Sequence, residues 1–321
     1  MRSLYSCPWQ ANQENWAIDV DPIVEGDIAR GLDDAEIPYC FFGNPVLRMY
    51  GHRPERTFRF GESRCNEGFQ LWPEQFSGWV VADLHLEQVV PVLQGLAFGV
   101  CSQHTDCTPM EYSLGGQPLP DLHFHPEGVG YPGPSDLVPI VTISFYASDN
   151  VFWDLLDPPF TDPLPNDPNY MLSNDEFLPE CSPAAPYLEV GRRSPSQYPL
   201  KIPTPARYTE IAILNLCRAV HGNAAWKLFW EGQLRRIVEV MDNDPDENPV
   251  FELDDLPSPF REYLSCQWTG TVEGLVEASV ILQKLYEELV SEDSLPDATG
   301  TWAKQEMHPD PPGFHDTLAD S

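Results

Sequence analysis

The sequence predicts an α+β fold, with a mixed N-terminal α/β part that holds a small sheet, a proline-rich connector and a C-terminal helical part. Three observations predict this class. Strand-like runs lie beside a helix-spaced segment within residues 1–150, and residues 151–206 hold 12 of the 34 prolines. Apolar residues then recur at helical spacing over 207–292. Residues 293–321 show neither period and predict a disordered acidic tail.

The first predicted strands surround a turn. Residues 39–42, and residues 46–50 apart from Arg48, are apolar and flank a Gly-Asn-Pro sequence at 43–45. Glycine and asparagine tolerate the positive φ that a hairpin turn needs, so these segments predict a β-hairpin. Residues 56–60 alternate between polar and apolar side chains, and residues 79–82 are apolar, so each predicts a further strand.

A helix and a strand complete the N-terminal part. Asp83 is expected to cap the helix because its carboxylate can accept hydrogen bonds from the first free amides, while Pro91 should kink or shorten it. The apolar residues at helical spacing are Leu86, Val89, Val90, Leu93 and Ala97. Residues 137–146 are rich in β-branched and aromatic side chains and predict the clearest strand of the chain.

The connector, 151–206, should be extended because proline fixes φ and removes backbone donors. Its aromatic content indicates that it wraps over the folded parts, since a free linker would carry fewer apolar rings. The large apolar side chains are Phe152, Trp153, Phe160, Tyr170, Phe177 and Tyr187.

Four helices are predicted after the connector, over 208–221, 224–241, 259–268 and 271–290. The first two are separated by a Gly-Asn pair at 222–223, which is a common helix stop. The last helix should bury one stripe against the others. That stripe comprises Leu275, Ala278, Leu282, Leu285 and Leu289.

The net charge restricts the classes of partner. The chain carries 50 Asp and Glu against 18 Lys and Arg, a formal net charge of -32, and half of this excess lies in residues 242–321. Such a charge repels phosphate backbones and anionic lipid headgroups, which disfavours nucleic acid and membrane surfaces as partners. A basic protein or a cationic ligand is the favoured partner.

The compartment is predicted from the N-terminus, the apolar runs and the cysteines. The N-terminal residues resemble neither a secretory signal nor a transit peptide, and no apolar run reaches the length of a membrane span. Eight cysteines are scattered without the density of a disulfide scaffold. The sequence therefore predicts a cytoplasmic protein with reduced thiols.

Common catalytic motifs are missing from the sequence. It has no Gly-x-Ser-x-Gly elbow and no phosphate loop of the Gly-x-x-x-x-Gly-Lys type. A Gly-x-Gly-x-x-Gly string at 128–133 contains Pro132 and precedes Pro134, which would prevent the helix that a dinucleotide site requires. The leading hypothesis is an acidic interaction or regulatory protein that binds a basic partner. The alternative is an enzyme acting on a small molecule.

One cluster could make that enzyme metal-dependent. Asp121, His123 and His125 share one face if this segment is a strand, and Glu127 follows, so two imidazoles and carboxylates could bind Zn²⁺ or Fe²⁺. The alternative is that these residues are ordinary polar groups of a surface loop. Nearby upstream residues could add ligands, although their spacing matches no common zinc module. They are Cys101, His104, Asp106 and Cys107.

A basic cluster runs against the overall charge. Guanidinium groups on one face could bind a carboxylate or phosphate ligand, and internal pairing with acidic residues is the alternative. The candidate anion-binding residues are Arg48, His52, Arg53, Arg56, Arg59 and Arg64.

The acidic loop 242–255 is the candidate docking site for a basic partner, with Phe251 as an apolar anchor amid the charge. The alternative is a solvated surface that only maintains solubility. The acidic candidates are Asp242, Asp244, Asp246 and Glu247.

Overall fold

The computed structural model describes residues 22–53, 77–101, 119–126, 142–154, 157–185, 188–219, 224–242 and 250–296. Within these ranges the chain forms eight α-helices and nine β-strands, with a five-stranded mixed sheet in the N-terminal half and most helical residues in the C-terminal part. The predicted α+β class is therefore confirmed.

The N-terminal elements agree in part with the sequence prediction. In chain order they are α1 (Pro22–Asp34), β1 (Tyr39–Gly43), α2 (Asn44–Met49), β2 (Ser77–Val81), α3 (Leu86–Gly95), β3 (Phe98–Val100), β4 (Leu122–Pro126), β5 (Ile143–Ala147) and α4 (Ser148–Val151). The strand predicted at 79–82 overlaps β2, and the one predicted at 137–146 overlaps β5, although residues 137–141 lie outside the described ranges. Asp83 was expected to cap α3, but it begins a single 3-10 turn, Asp83–His85, and no side chain caps either helix.

The predicted hairpin at 39–50 is wrong, because β1 leads directly into the buried helix α2. Gly43 adopts φ 100°, and Pro45 occupies the first turn of the helix. Proline is well suited to that place, since a first-turn residue needs no amide donor and its φ is already helical. The strand predicted at 56–60 lies outside the described residues.

The sheet has the strand order β1-β2-β5-β4-β3. β2 and β5 are parallel, and the other neighbours are antiparallel. Phe42, Gly78, Ser144 and His123 lie side by side across four strands and therefore share one face. We call this the helical face because its aromatic residues pack against the C-terminal helices.

The second half of the described chain consists of short strands followed by helices. The elements are β6 (Tyr170–Leu172), β7 (Ser182–Ala185), β8 (Leu188–Val190), β9 (Lys201–Pro203), α5 (Pro205–Ala219), α6 (Ala224–Asp242), α7 (Phe260–Trp268) and α8 (Val272–Ser291). β6 pairs with β9, and β7 pairs with β8, both antiparallel. The four predicted helices are confirmed, with ends that differ by a few residues.

Aromatic side chains fill both faces of the sheet. On the helical face, the Phe42 ring lies 5.4 Å from the rings of Tyr146 and Phe152 and 6.4 Å from that of Trp230 on α6. On the opposite face, Trp79 packs against neighbours that include Phe145. One hydrophobic cluster contains side chains from the sheet, from the 151–206 stretch and from the C-terminal helices.

Candidate metal centre

Three potential metal ligands meet at the β3–β4 edge of the sheet. One donor atom from each of Cys101, His123 and His125 can be chosen so that all three lie within 4.8 Å of one another. All three residues are buried, with exposed fractions of 5%, 5% and 9%. The two imidazole rings are 5.2 Å apart and inclined at 77°. A thiol and two imidazoles therefore converge inside the protein.

The strand geometry explains why the histidines meet. Side chains alternate along a strand, so His123 and His125 project from the same face of β4, while Phe124 projects from the other. Phe124 packs edge to face on Phe145, at 5.7 Å, within the core. If the pairing register of β4 slipped by one residue, Phe124 would leave the core and the histidines would move to the other face. Burial of Phe124 therefore fixes the register that places both imidazoles at the site.

Cys101 joins the site through strand pairing. It follows β3 directly, and its backbone amide donates a hydrogen bond of 3.0 Å to the carbonyl of His123. Gly99 is the cross-strand partner of His125, and Ser144 is that of His123. Directly opposite residues have Cβ atoms about 5 Å apart, so these two small partners leave room for the imidazole rings.

The donor set suits a borderline transition metal. Zinc binds thiolate sulfur at about 2.3 Å and imidazole nitrogen at about 2.0–2.1 Å, which places the ligand atoms of a tetrahedral site about 3.4–3.6 Å from one another. The three donor atoms at this site lie within 4.8 Å of one another. Side-chain movements of about 1 Å would therefore close the three donors around one ion.

The carboxylate of Asp121, which the sequence predicted as a ligand, is not part of this cluster. The Asp121 carboxylate accepts a hydrogen bond of 2.8 Å from the backbone amide of Ala147 and bonds of 3.1–3.2 Å from the side-chain amide of Asn150. It thus fastens the start of β4 to the junction of β5 and α4. Glu127, His104, Asp106 and Cys107 lie outside the described residues.

From the sequence alone, Cys101 is only one of several upstream residues that could add a ligand. Its partner His123 is 22 residues further along the chain, a separation unlike that of a compact zinc module. Only the antiparallel pairing of β3 with β4 brings them together.

Three residues of the basic cluster lie within the described part of the chain. Arg48 is buried on α2, His52 Nε2 lies 2.9 Å from Glu239 Oε2 on α6, and Arg53 is exposed. Arg56, Arg59 and Arg64 lie outside the described part of the chain. Because half of the cluster is not described, the anion site stays a prediction.

The pKa of His52 is lowered from its usual 6.5, chiefly because burial disfavours the charged ring. Arg236 and Arg48 act in the same direction, while Glu239 opposes them. As pH falls, the unfolded chain takes up this proton first, so folding stability should decrease below about pH 6.5.

We expect His52→Gln to flatten the fall in unfolding free energy between about pH 7.5 and about pH 5.5, measured by urea denaturation. His85→Gln, at the surface beside Gln88, is the control and should keep the wild-type slope. A wild-type slope in His52→Gln would show that protonation of His52 is not linked to folding.

The acidic loop contributes an internal contact. The Asp242 carboxylate accepts a hydrogen bond of 2.6 Å from the indole of Trp268. Phe251, the predicted apolar anchor, is buried in the core with an exposed fraction of 4%, so its ring is not available to a partner. Asp244, Asp246 and Glu247 lie outside the described residues.

Comparison with known protein families, curated proteins and solved structures finds no match to this chain. Among the described residues, the helices fall short of the length and apolar character needed to cross a membrane.

Proposed function

We propose that this protein binds one Zn²⁺ ion through the Cys101 thiolate and the imidazoles of His123 and His125. The observation that supports this function is the convergence of three buried donor atoms within 4.8 Å. A thiolate with two imidazoles favours Zn²⁺ over the harder ions Mg²⁺ and Ca²⁺, which prefer oxygen ligands. A reducing cytoplasm would keep the thiol available.

The first consequence of binding would be structural. β3 has three residues and lies at the edge of the sheet, so few backbone hydrogen bonds hold it. An ion bound by Cys101 and by two residues of β4 would cross-link this edge. Because an unfolded chain has no preformed site, much of the binding free energy would stabilise the fold.

A second candidate function is metal-assisted hydrolysis. The described residues supply three ligands, and catalytic zinc sites combine three protein ligands with a water molecule. Zinc lowers the pKa of such a water to about 7 and so supplies hydroxide at neutral pH. This second function agrees with the hypothesis of an enzyme that acts on a small molecule. Asp121 would then be a positioning residue, because it fixes the start of the strand that carries both histidines.

Metal analysis of the purified full-length chain tests the proposal. We expect close to one zinc per chain by mass spectrometry, and loss of most of it in Cys101→Ser and in His123→Ala. Cys181→Ser and His85→Ala are matched controls, because both residues lie outside the cluster, and they should keep the metal. Circular dichroism shows whether each variant still folds.

Substitution with Co²⁺ identifies the ligands and the metal geometry. A sulfur-to-cobalt charge-transfer band should be present in the wild type and absent in Cys101→Ser. Iron in place of zinc would overturn the choice of metal. A folded wild-type chain that carries no metal and takes up none from excess Zn²⁺ would overturn the function itself.

A further inference from the structure

The outer face of α8 exposes valines. Val272, Val276 and Val280 recur every four residues and therefore form one stripe, with exposed fractions of 73%, 61% and 49%. Leu275 borders this stripe and is 45% exposed, although the sequence predicted it to be buried. We call these four residues the valine stripe.

The valine stripe is separate from the face that holds α8 to the protein. Ala278 and Leu285 are buried, and Leu282 and Leu289 pack against the core as partly buried residues. Valine is also a poor choice for an exposed helix position, because its β-branched side chain loses rotamer freedom there. The outer valines therefore contribute neither to the described core nor to helix propensity.

Acidic residues flank the valine stripe on one side. α8 carries Glu273, Glu277, Glu287 and Glu288 against a single base, Lys284. Glu273 and Glu277 are one turn apart and repel each other, which disfavours the isolated helix. An apolar stripe with an acidic border is complementary to a helix whose apolar stripe has a basic border.

We propose that the valine stripe docks a basic amphipathic helix of another protein. Burial of the valines would provide affinity, and the glutamates would select positively charged partners and accelerate association. A second copy of this chain does not fit, because two chains of net charge -32 would bring glutamates against glutamates. This surface replaces Phe251 as the apolar anchor for a basic partner.

A designed peptide tests the proposal with the full-length protein. The probe is a fluorescent helix of about five turns made of leucine and lysine, with the leucines at i, i+4 spacing. A scrambled peptide of the same composition and a leucine-glutamate version are the peptide controls. Fluorescence anisotropy should show binding of the first peptide and at least tenfold weaker binding of both controls.

Paired variants separate the apolar contribution from the charged one. We expect Val276→Gln/Val280→Gln to weaken binding by about tenfold or more, since two apolar contacts are lost. The matched control, Leu84→Gln/Leu164→Gln, removes two exposed leucines elsewhere and should bind like the wild type.

The charge variant should behave differently with salt. Glu273→Gln/Glu287→Gln should bind about threefold to tenfold more weakly at 0.1 M salt, and this difference should shrink at about 0.5 M salt because the Debye length shortens. Its control, Glu87→Gln/Glu176→Gln, removes the same charge from other exposed sites.

Several results would overturn the proposal. They include a wild type that does not bind the basic helix, equal binding of the scrambled peptide, and equal binding by the valine variant and its leucine control. Self-association that disappears in Val276→Gln/Val280→Gln, measured by sedimentation, would instead identify a second copy as the occupant. None of these results depends on the metal site.

Discussion

Replacing Glu25 with methionine is expected to lower the free energy of unfolding by about 3–5 kcal/mol, because it removes one partner of a buried ion pair. Glu25 on α1 accepts a hydrogen bond from the guanidinium of Arg193, and the two side chains are 2% and 8% exposed. The remaining guanidinium would keep its charge without this carboxylate. Urea denaturation measures the loss.

A double variant tests whether the charge is the cause. Glu25→Met/Arg193→Met replaces both partners with apolar side chains and should be much less destabilised than the sum of the single variants. Asp27→Asn removes an exposed partner of Arg30 and should cost about 1 kcal/mol or less. Additive losses in the double variant would contradict the expected coupling.

Replacing Phe42 with alanine should cost about 3–5 kcal/mol of unfolding free energy, since the residue is fully buried among aromatic rings on the helical face. Gly78 lies opposite it, and a Cβ at that position would be 2.2 Å from Cε1 of Phe42. Gly78→Ala alone should therefore cost about 1–3 kcal/mol through overpacking.

The two substitutions should compensate in combination. In Phe42→Ala/Gly78→Ala the added methyl group enters the space that the ring has left, so the double variant should be no less stable than Phe42→Ala alone. Gly95→Ala is the control, because a Cβ there meets no atom within 4 Å, and it should not destabilise the protein. Thermal denaturation followed by circular dichroism gives all four values.

The sequence predicted those helices and strands whose residue patterns are contained in a short segment of the chain. The four C-terminal helices were found because helical periodicity and stop residues are contained in short segments. The hairpin predicted at 39–50 is the exception in the N-terminal half. The Gly-Asn-Pro sequence at 43–45 allows either a turn or a helix start, and packing of α2 decides between them, since all six of its residues are buried.

Of the candidate metal site, only the residues that lie on a single strand, β4, were predicted to come together. The alternation of His123 and His125 is visible in five residues, whereas the contribution of Cys101 depends on pairing between β3 and β4. For Phe251, the local sequence indicated the wrong environment. Its acidic neighbours indicated exposure, but the ring is buried in the common core, and tertiary contacts cannot be derived from local charge.

The parallel pairing of β2 with β5 has a consequence for synthesis. Roughly 60 residues separate these neighbours, so at about 5–20 residues per second β2 waits roughly 3–12 s before its partner is made. Trp230, which covers Phe42, is made later still. During that interval the nascent chain presents an unpaired strand edge and an uncovered aromatic surface, which are the features that chaperones recognise and that aggregation exploits.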